Sequence, residues 1–152
     1  MVFIDGDGYA CDVPKNSRKE FSGGLVNPMS VSIPITRLLP HCHPFRSRPW
    51  GVPVRPRDVW EALASGRLVA TPGGDDHAGR IAYLMIHPSQ EPIEIDVGVP
   101  HLGCYVDWLV QDGNHRLAAA FMRREPSIMA CVSGDLCHAY DLFGIDCEEE
   151  SL

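Results

Sequence analysis

Apolar and polar residues alternate in the segment VSIPITRLL, which is typical of a β-strand. Val31, Ile33 and Ile35 form one side of the alternation, and Ser32, Pro34 and Thr36 form the other. Proline has no backbone N–H to contribute to a ladder, so it is normally confined to edge strands. The pattern therefore predicts a strand at the edge of a sheet.

Three further strands are predicted downstream. The clearest alternation is in IEIDVGV, where apolar residues occupy every second position from Ile93 to Val99. The segment YVDWLV, residues 105–110, is expected to pair with it as a hairpin. In SIMACV, Ile128, Ala130 and Val132 are expected to face the same side of a last strand.

Helices are predicted between the strands. DVWEALASGR should begin with Asp58 as the cap, continue with Glu61 in a capping box and stop at Gly66. DHAGRIAYLMI should be capped by Asp76 and end before His87-Pro88. LAAAFMRR is rich in helix formers, and Glu125-Pro126 follows it. PHCHPFRSRPWGVPVRP contains too much proline for regular structure and is expected to form a loop.

The resulting order is strand, helix, helix, strand, strand, helix, strand, which predicts one compact α+β domain. Its 152 residues, 45% of them hydrophobic, suffice for a single core. We assign residues 1–30 to a loosely ordered N-terminal extension, 31–135 to the domain and 136–152 to an acidic C-terminal tail. No stretch is apolar enough to cross a bilayer, and MVFIDGDGYA does not resemble a secretory signal, so a cytoplasmic protein with six reduced cysteines is expected.

The formal net charge of −7 argues against wrapping nucleic acid by bulk electrostatics. Arginines are nevertheless concentrated in two places, which are compatible with a local anion site. One is the proline-rich loop, and the other follows the Asp112-Gly113 turn. The arginines concerned are Arg46, Arg48, Arg55, Arg57, Arg116, Arg123 and Arg124.

The segment QDGNHRLAAAFMRR contains the most specific pattern in the chain. Gly113 permits a sharp turn and close approach of a ligand, and Asn114 is suited to capping the helix. The unpaired amides and dipole of a helix start favour anions. Arg116 can bind a phosphate through two parallel hydrogen bonds, and His115 can transfer a proton near neutral pH. A phosphate site is therefore predicted, with a structural cap and surface arginine as the simpler interpretation.

The segment DGNHRLAAA resembles the G-x-x-R-x-x-A box of the ParB/sulfiredoxin superfamily, with Gly113, Arg116 and Ala119 in the three defining positions. EPIEIDVGV, YVDWLV and EPSIMACV are similar to strands around that box, and ITRLLPHCHPFRSRP is similar to the family's first strand and its proline-arginine loop. The resemblance covers roughly residues 31–135. It implies a ParB/sulfiredoxin-like α+β fold with a small mixed sheet and packed helices.

The resemblance also implies a function. Gly113, Asn114, His115 and Arg116, with Arg46 and Arg48 from the loop, would bind the phosphates of ATP or CTP with Mg²⁺. His115 and Arg116 would serve in NTP hydrolysis or, as in nuclease relatives, in DNA cleavage. Sulfiredoxin chemistry is not expected, because Asn114 stands where those enzymes have their catalytic cysteine. The chain resembles a stand-alone accessory protein of a plasmid, phage or mobile element.

Several alternatives remain open at this stage. The fold could serve a non-catalytic regulator or inhibitor whose acidic surface binds a protein partner. FIDGDGY resembles the first motif of haloacid-dehalogenase-type phosphatases, with Asp5 as nucleophile and Asp7 as acid/base, although a downstream lysine is missing. His41, Cys42 and His43 with Cys137-His138 are weak zinc ligands by spacing. Asp75, Asp76 and His77 could bind Mg²⁺ beside a nucleotide.

Overall fold

The computed structural model describes residues 30–147 and, nearer the N-terminus, only the backbone of two short strands. These strands are β1 (Phe3–Ile4) and β2 (Ala10–Cys11), which pair antiparallel. Most of the predicted extension over residues 1–30, including the phosphatase-like Asp5 and Asp7, therefore lies outside the described residues.

Four strands form a mixed sheet in the order β3-β6-β4-β5. Their bounds are β3 (Ser30–Pro34), β4 (Ile93–Asp96), β5 (Val110–Asp112) and β6 (Ser127–Ser133). β3 pairs antiparallel with β6, β6 runs parallel to β4, and β4 pairs antiparallel with β5. The predicted edge position of the Pro34 strand and the predicted pairing after β4 are both confirmed.

Five α-helices lie within residues 30–147, so the predicted α+β class is confirmed. Their bounds are α1 (Ile35–Cys42), α2 (Pro56–Ser65), α3 (His77–Ile86), α4 (Asn114–Met122) and α5 (Leu136–Phe143). None of these helices combines the length and apolar character needed to cross a bilayer.

The first strand is shorter than predicted, because the chain becomes helical at Ile35. Ile35, Leu38 and Cys42 recur at helical spacing and are all buried. A short apolar alternation cannot distinguish this pattern from a strand. The burial of these side chains offsets the loss of the backbone hydrogen bond that Pro40 cannot donate inside α1. The prediction of a loop from Pro40 was therefore also wrong for the first three residues.

The start of α2 differs from the prediction, whereas its end is confirmed. The helix begins at Pro56, and Asp58 is the third helical residue, whose carboxylate accepts a hydrogen bond from the Arg55 amide at 2.9 Å. Asp58 was therefore wrongly assigned as the cap, and Glu61 is not the capping-box partner. Proline at the first helical position has the required φ and loses no helical hydrogen bond, so the helix begins at Pro56, before the predicted cap. Gly66 ends α2 with φ 69°.

The hairpin strand was predicted too early along the chain. Strand β5 begins only at Val110, and the residues before it are irregular. A register shift lies between Glu94 and Ile95, and the amide of Asp96 donates to the carbonyl of Leu109 at 2.9 Å. The irregular pairing explains why strand periodicity placed the segment five residues too far upstream.

Helix α5 is absent from the predicted order of elements. Asp135 caps it by accepting a hydrogen bond from the Cys137 amide at 2.9 Å, and Gly144 ends it with φ 68°. Ala139 and Phe143 are fully buried against the sheet. The acidic composition of the adjoining residues explains why the sequence pattern did not predict a helix with this apolar face.

Helix α4 joins two hydrophobic clusters. Leu117 packs into the cluster formed by the sheet, α1 and α5. Ala118, Ala119 and Met122 pack with α2 and α3 in the second cluster. Both sides of α4 are therefore held by the core, and the first turn of the helix has a defined position.

The cysteines do not all behave as predicted. Cys104 is disulfide-bonded, so the expectation of reduced thiols is wrong at this residue. Four others carry reduced thiols that form no disulfide, namely Cys42, Cys131, Cys137 and Cys147. Burial raises the pKa of the Cys42 thiol to about 12, which keeps it protonated and chemically inert.

Candidate functional site at the start of α4

Gly113 makes the sharp turn from β5 into α4, with φ 100°. A Cβ at this position would lie 2.5 Å from Cγ2 of Ile93 on the neighbouring strand and 3.0 Å from Nη2 of Arg116. Both the backbone conformation and the close packing thus require glycine. The turn brings the first residues of α4 directly against β4.

Asn114 is the first helical residue and not the cap, which is Gly113. Its Oδ1 accepts a hydrogen bond from Nε1 of Trp108 at 2.9 Å, and its Nδ2 donates to the carbonyl of Val110 at 3.3 Å. The predicted capping role was therefore wrong, because the side chain turns back toward the segment that leads into β5. Asn114 ties that segment to α4.

Replacing Gly113 with alanine should destabilise the protein by roughly 2–4 kcal/mol, because a positive φ and an overpacked contact both add to the cost. Gly73 is a matched control, since it has φ 95° but a Cβ added there would meet no atom within 4 Å. Gly73→Ala should cost about 1–2 kcal/mol, from backbone strain alone. Chemical denaturation of the two variants measures the difference, and equal losses would contradict the packing argument.

The side chain of His115 forms a compact aromatic cluster with His77 of α3 and Trp50 of the proline-rich loop. Nε2 of His115 lies 3.0 Å from Nδ1 of His77, within hydrogen-bond distance. The two imidazoles are nearly parallel, at 16°. Because an imidazole N–H lies in the plane of its ring, this hydrogen bond joins the rings at their edges. The indole of Trp50 lies over both, with centroid distances of 5.3 Å to His77 and 4.9 Å to His115.

His115 is neutral at physiological pH in this environment. Burial, the neighbouring His77 and the guanidinium of Arg80 lower the pKa of His115 to about 4. All three causes disfavour the imidazolium form. His115 therefore offers one protonated and one unprotonated ring nitrogen, of which Nε2 is engaged with His77.

Arg116 follows His115 and is held in place by two carboxylates. Its Nη1 donates to Glu91 at 2.9 Å, and its Nη2 donates to Asp112 at 3.2 Å. The arginine side chain is only 14% exposed, whereas those of Glu91 and Asp112 are 82% and 69% exposed. The guanidinium is thus preorganised, but protein carboxylates occupy one donor on each of its Nη atoms.

A cavity of about 240 Å³ lies between the start of α4 and helix α3. It is lined by Pro72, Arg80, Leu84, Ser89, Glu91, Asp112, Gly113, His115 and Arg116. A second cavity of about 220 Å³ borders it, since the two share four lining residues, and extends along α4 to Arg123. The structure therefore brings Gly113, His115 and Arg116 to one cavity, together with a further arginine, Arg80.

The arginines of the proline-rich loop do not line either of these cavities. Arg46 and Arg48 are both exposed. The same loop nevertheless reaches the site through Trp50. Arg48 has φ 47°, a conformation that is unfavourable for a non-glycine residue and especially before proline, and it directly precedes Pro49-Trp50. The loop thus accepts a strained residue two positions before Trp50, the residue that covers the two histidines.

The alternative metal sites are not assembled in the described part of the chain. No group of three or more His, Cys, Asp or Glu side chains is arranged there to hold a metal ion. His41 lies 3.2 Å from the carbonyl of Leu142, and Nδ1 of His43 accepts from the Phe45 amide. Asp76 caps α3, as predicted, by accepting from the Gly79 amide, and it also pairs with Arg67.

Trp50, Arg80 and Glu91 belong to the site but were not predicted as site residues, and His77 was considered only as a Mg²⁺ ligand. They lie between 22 and 63 positions from Gly113 along the chain. No local motif relates them to the box. One signal was available: the loop is unusually rich in arginine and aromatic residues for a simple connection.

Comparisons with known proteins found no significant match to any family model, curated protein or solved structure. The geometry of the site and the motif at Gly113–Ala119 are therefore the features of this chain that point to a function.

Proposed function

We propose that the cavity at the start of α4 binds the phosphates of a nucleoside triphosphate, ATP or CTP, and that the protein hydrolyses it with His115 as the proton-transfer group. One observation carries the proposal. A neutral histidine and two arginines, Arg80 and Arg116, line one cavity at a glycine turn that opens a helix. The resemblance of DGNHRLAAA to the ParB/sulfiredoxin box supports the same assignment, and with it a ParB/sulfiredoxin-like fold.

The chemistry of these groups suits phosphoryl transfer. Phosphate oxygens carry dispersed negative charge, and planar guanidinium groups bind them through paired, charge-assisted hydrogen bonds. The first amides of α4 add the positive end of the helix dipole. A neutral imidazole can accept a proton from the attacking water. The same groups could act on a phosphodiester, so DNA is included as a substrate to be tested.

The cavity also contains donors that fit Mg²⁺. The metal is usually held by one or two carboxylates together with the phosphates of the nucleotide. Glu91 and Asp112 line the cavity and are largely exposed. These two residues would hold the ion, which would neutralise phosphate charge once bound.

A non-catalytic role in binding a protein partner is the second candidate, and one observation favours it. Glu91 and Asp112 already neutralise Arg116 and occupy one donor on each of its Nη atoms, so an anion that binds at these donors must displace the carboxylates. Ion pairs whose carboxylates are this exposed to solvent contribute on the order of 1 kcal/mol, so a polyphosphate can compete with them. The two candidates therefore differ in whether nucleotide displaces the carboxylates.

Arg116→Ala should weaken nucleotide binding about 10- to 100-fold, because it removes a charge-assisted contact of about 1.5–3 kcal/mol. Glu91→Gln should have the opposite effect in the absence of metal and strengthen binding roughly two- to fivefold, because it removes a competing charge. Calorimetric titration of ATP and CTP in EDTA measures both changes. A plasmid-nicking assay with Mg²⁺ tests the DNA substrate.

Arg57 provides the matched control, because it is an exposed arginine on α2 that lies outside the cavity. Arg57→Ala changes the net charge equally and should leave affinity unchanged. Unaltered affinity in a folded Arg116→Ala protein would favour the protein-binding alternative, as would the absence of any nucleotide binding to the wild type.

A further inference from the structure

We propose that His77 is a positioning residue that shares one proton with His115, an inference that rests on the proposed function. The two imidazoles then exchange protons with substrate as a unit. His115 lines the cavity, whereas His77 does not. The two rings are joined by the 3.0 Å contact between Nε2 of His115 and Nδ1 of His77. His77 would therefore act on the substrate only through His115.

The charges around the pair explain why a partner is needed. Arg80 on α3 and Arg116 on α4 face the same cavity, with Glu91 and Asp112 paired to Arg116. Burial and Arg80 disfavour a positive charge on His115. An isolated imidazole in this position would be a weak base, because its charged form is unfavourable.

Sharing the proton removes this difficulty. When Nδ1 of His115 takes a proton from the attacking water, the N–H at Nε2 of His115 gives its proton to Nδ1 of His77. His115 is then neutral again but protonated at Nδ1, and the positive charge resides on His77. The reverse transfers return the proton to the leaving group, so the pair ends in its initial state.

Trp50 supports the exchange by covering the contact. Its indole is nearly parallel to both imidazoles, at 18° to His77 and 20° to His115. A flat aromatic ring over the N···N contact excludes water from one side, and water would otherwise compete for both nitrogens. Its near-parallel stacking on both imidazoles also limits their rotation, which helps to keep the two nitrogens within hydrogen-bond distance.

Nitrogen-15 NMR of the histidine rings tests the shared proton without any substrate. As pH is lowered and the pair takes up its first proton, His115 should change from the Nε2–H to the Nδ1–H tautomer while staying neutral. In His77→Ala, His115 should instead pass directly from neutral to imidazolium. Formation of imidazolium on His115 in the first step of the wild type, or an unchanged tautomer, would overturn the proposal.

Kinetics with ATP or CTP and Mg²⁺ test the consequence for turnover. His77→Ala should lower kcat about 10- to 100-fold, change KM less than about threefold and displace the pH profile of kcat. His77→Asn places an amide near the position of Nδ1 but cannot titrate, so it should restore the alignment only and give an intermediate kcat. Wild-type kcat in His77→Asn, or an unshifted pH profile in His77→Ala, would show that His77 has only a structural role.

The control is His87→Asn, at the other end of α3, where the exposed ring packs on Tyr83 and lies outside the cavity. It should match the wild type in both experiments. Absence of nucleotide turnover by the wild type would refute the proposed function, whereas the NMR titration would still decide whether the histidines share a proton.

Discussion

His115→Ala should lower the turnover of ATP or CTP about 100-fold or more while changing nucleotide affinity little, because in the proposed function the imidazole would transfer protons and the arginines would supply most of the binding energy. Steady-state kinetics give kcat, and calorimetric titration gives the affinity. The variant should stay folded, since the His115 side chain is only half-buried and makes one hydrogen bond, to His77.

His138→Ala is a suitable control, because His138 lies on α5 and lines neither cavity of the site. Its turnover should equal that of the wild type. A fall in affinity equal to the fall in kcat/KM for His115→Ala would assign this residue to binding alone. Unchanged turnover would remove it from the mechanism.

The same variant should alter the acid sensitivity of folding. The pKa of His115 falls from the usual 6.5 to about 4 in the folded protein, so the unfolded chain binds a proton that the native protein does not bind. This group therefore lowers stability progressively as pH falls from about 6.5 to about 4, and it has no further effect below that range. His115→Ala should lose less stability than the wild type over this interval, as measured by denaturant unfolding.

Phe143→Ala should destabilise the protein by about 3–5 kcal/mol, the cost of removing a buried aromatic ring and leaving a cavity. Phe143 is 0% exposed and is one of the largest fully buried side chains of the described residues. It joins α5 to the cluster that contains β4, β6 and Leu117 of α4. Urea denaturation measures the loss.

Tyr140→Ala tests the opposite face of the same helix. The tyrosine is 56% exposed, so its removal should cost less than about 1 kcal/mol. Similar small losses for both variants would mean that α5 is a peripheral appendage. The large difference expected between them would establish α5 as part of the core.

The sequence by itself determined several elements of this protein. The Asp76 cap and the apolar spacing of α3 are local, and the structure has the helix where they predict it. The strand at Ser127–Ser133 and the helix after Gly113 also follow from local periodicity and from glycine and proline positions. Such features depend on interactions between residues a few positions apart, which the order of amino acids states directly.

Elements whose conformation depends on distant contacts were decided by the tertiary structure. Residues 35–42 could have continued β3, but the burial of Leu38 and Cys42 against the sheet cluster makes them helical. The beginning of β5 at Val110 likewise depends on irregular pairing with β4. Helix α5 is stabilised by burying Phe143 in a cluster whose other members lie far along the chain.

In the candidate site, too, some features are set by the sequence and others by the tertiary structure. The sharp turn at Gly113 and the presence of His115 and Arg116 beside it follow from the sequence, because the glycine, histidine and arginine are adjacent. The partners of these side chains do not follow from the sequence. His77, Trp50 and Glu91 come from three other segments, and only the packing of α3, the proline-rich loop and the segment before β4 around α4 brings them to His115 and Arg116. The charge and protonation of the site depend on these partners, because burial and neighbouring charges act through space and not along the chain.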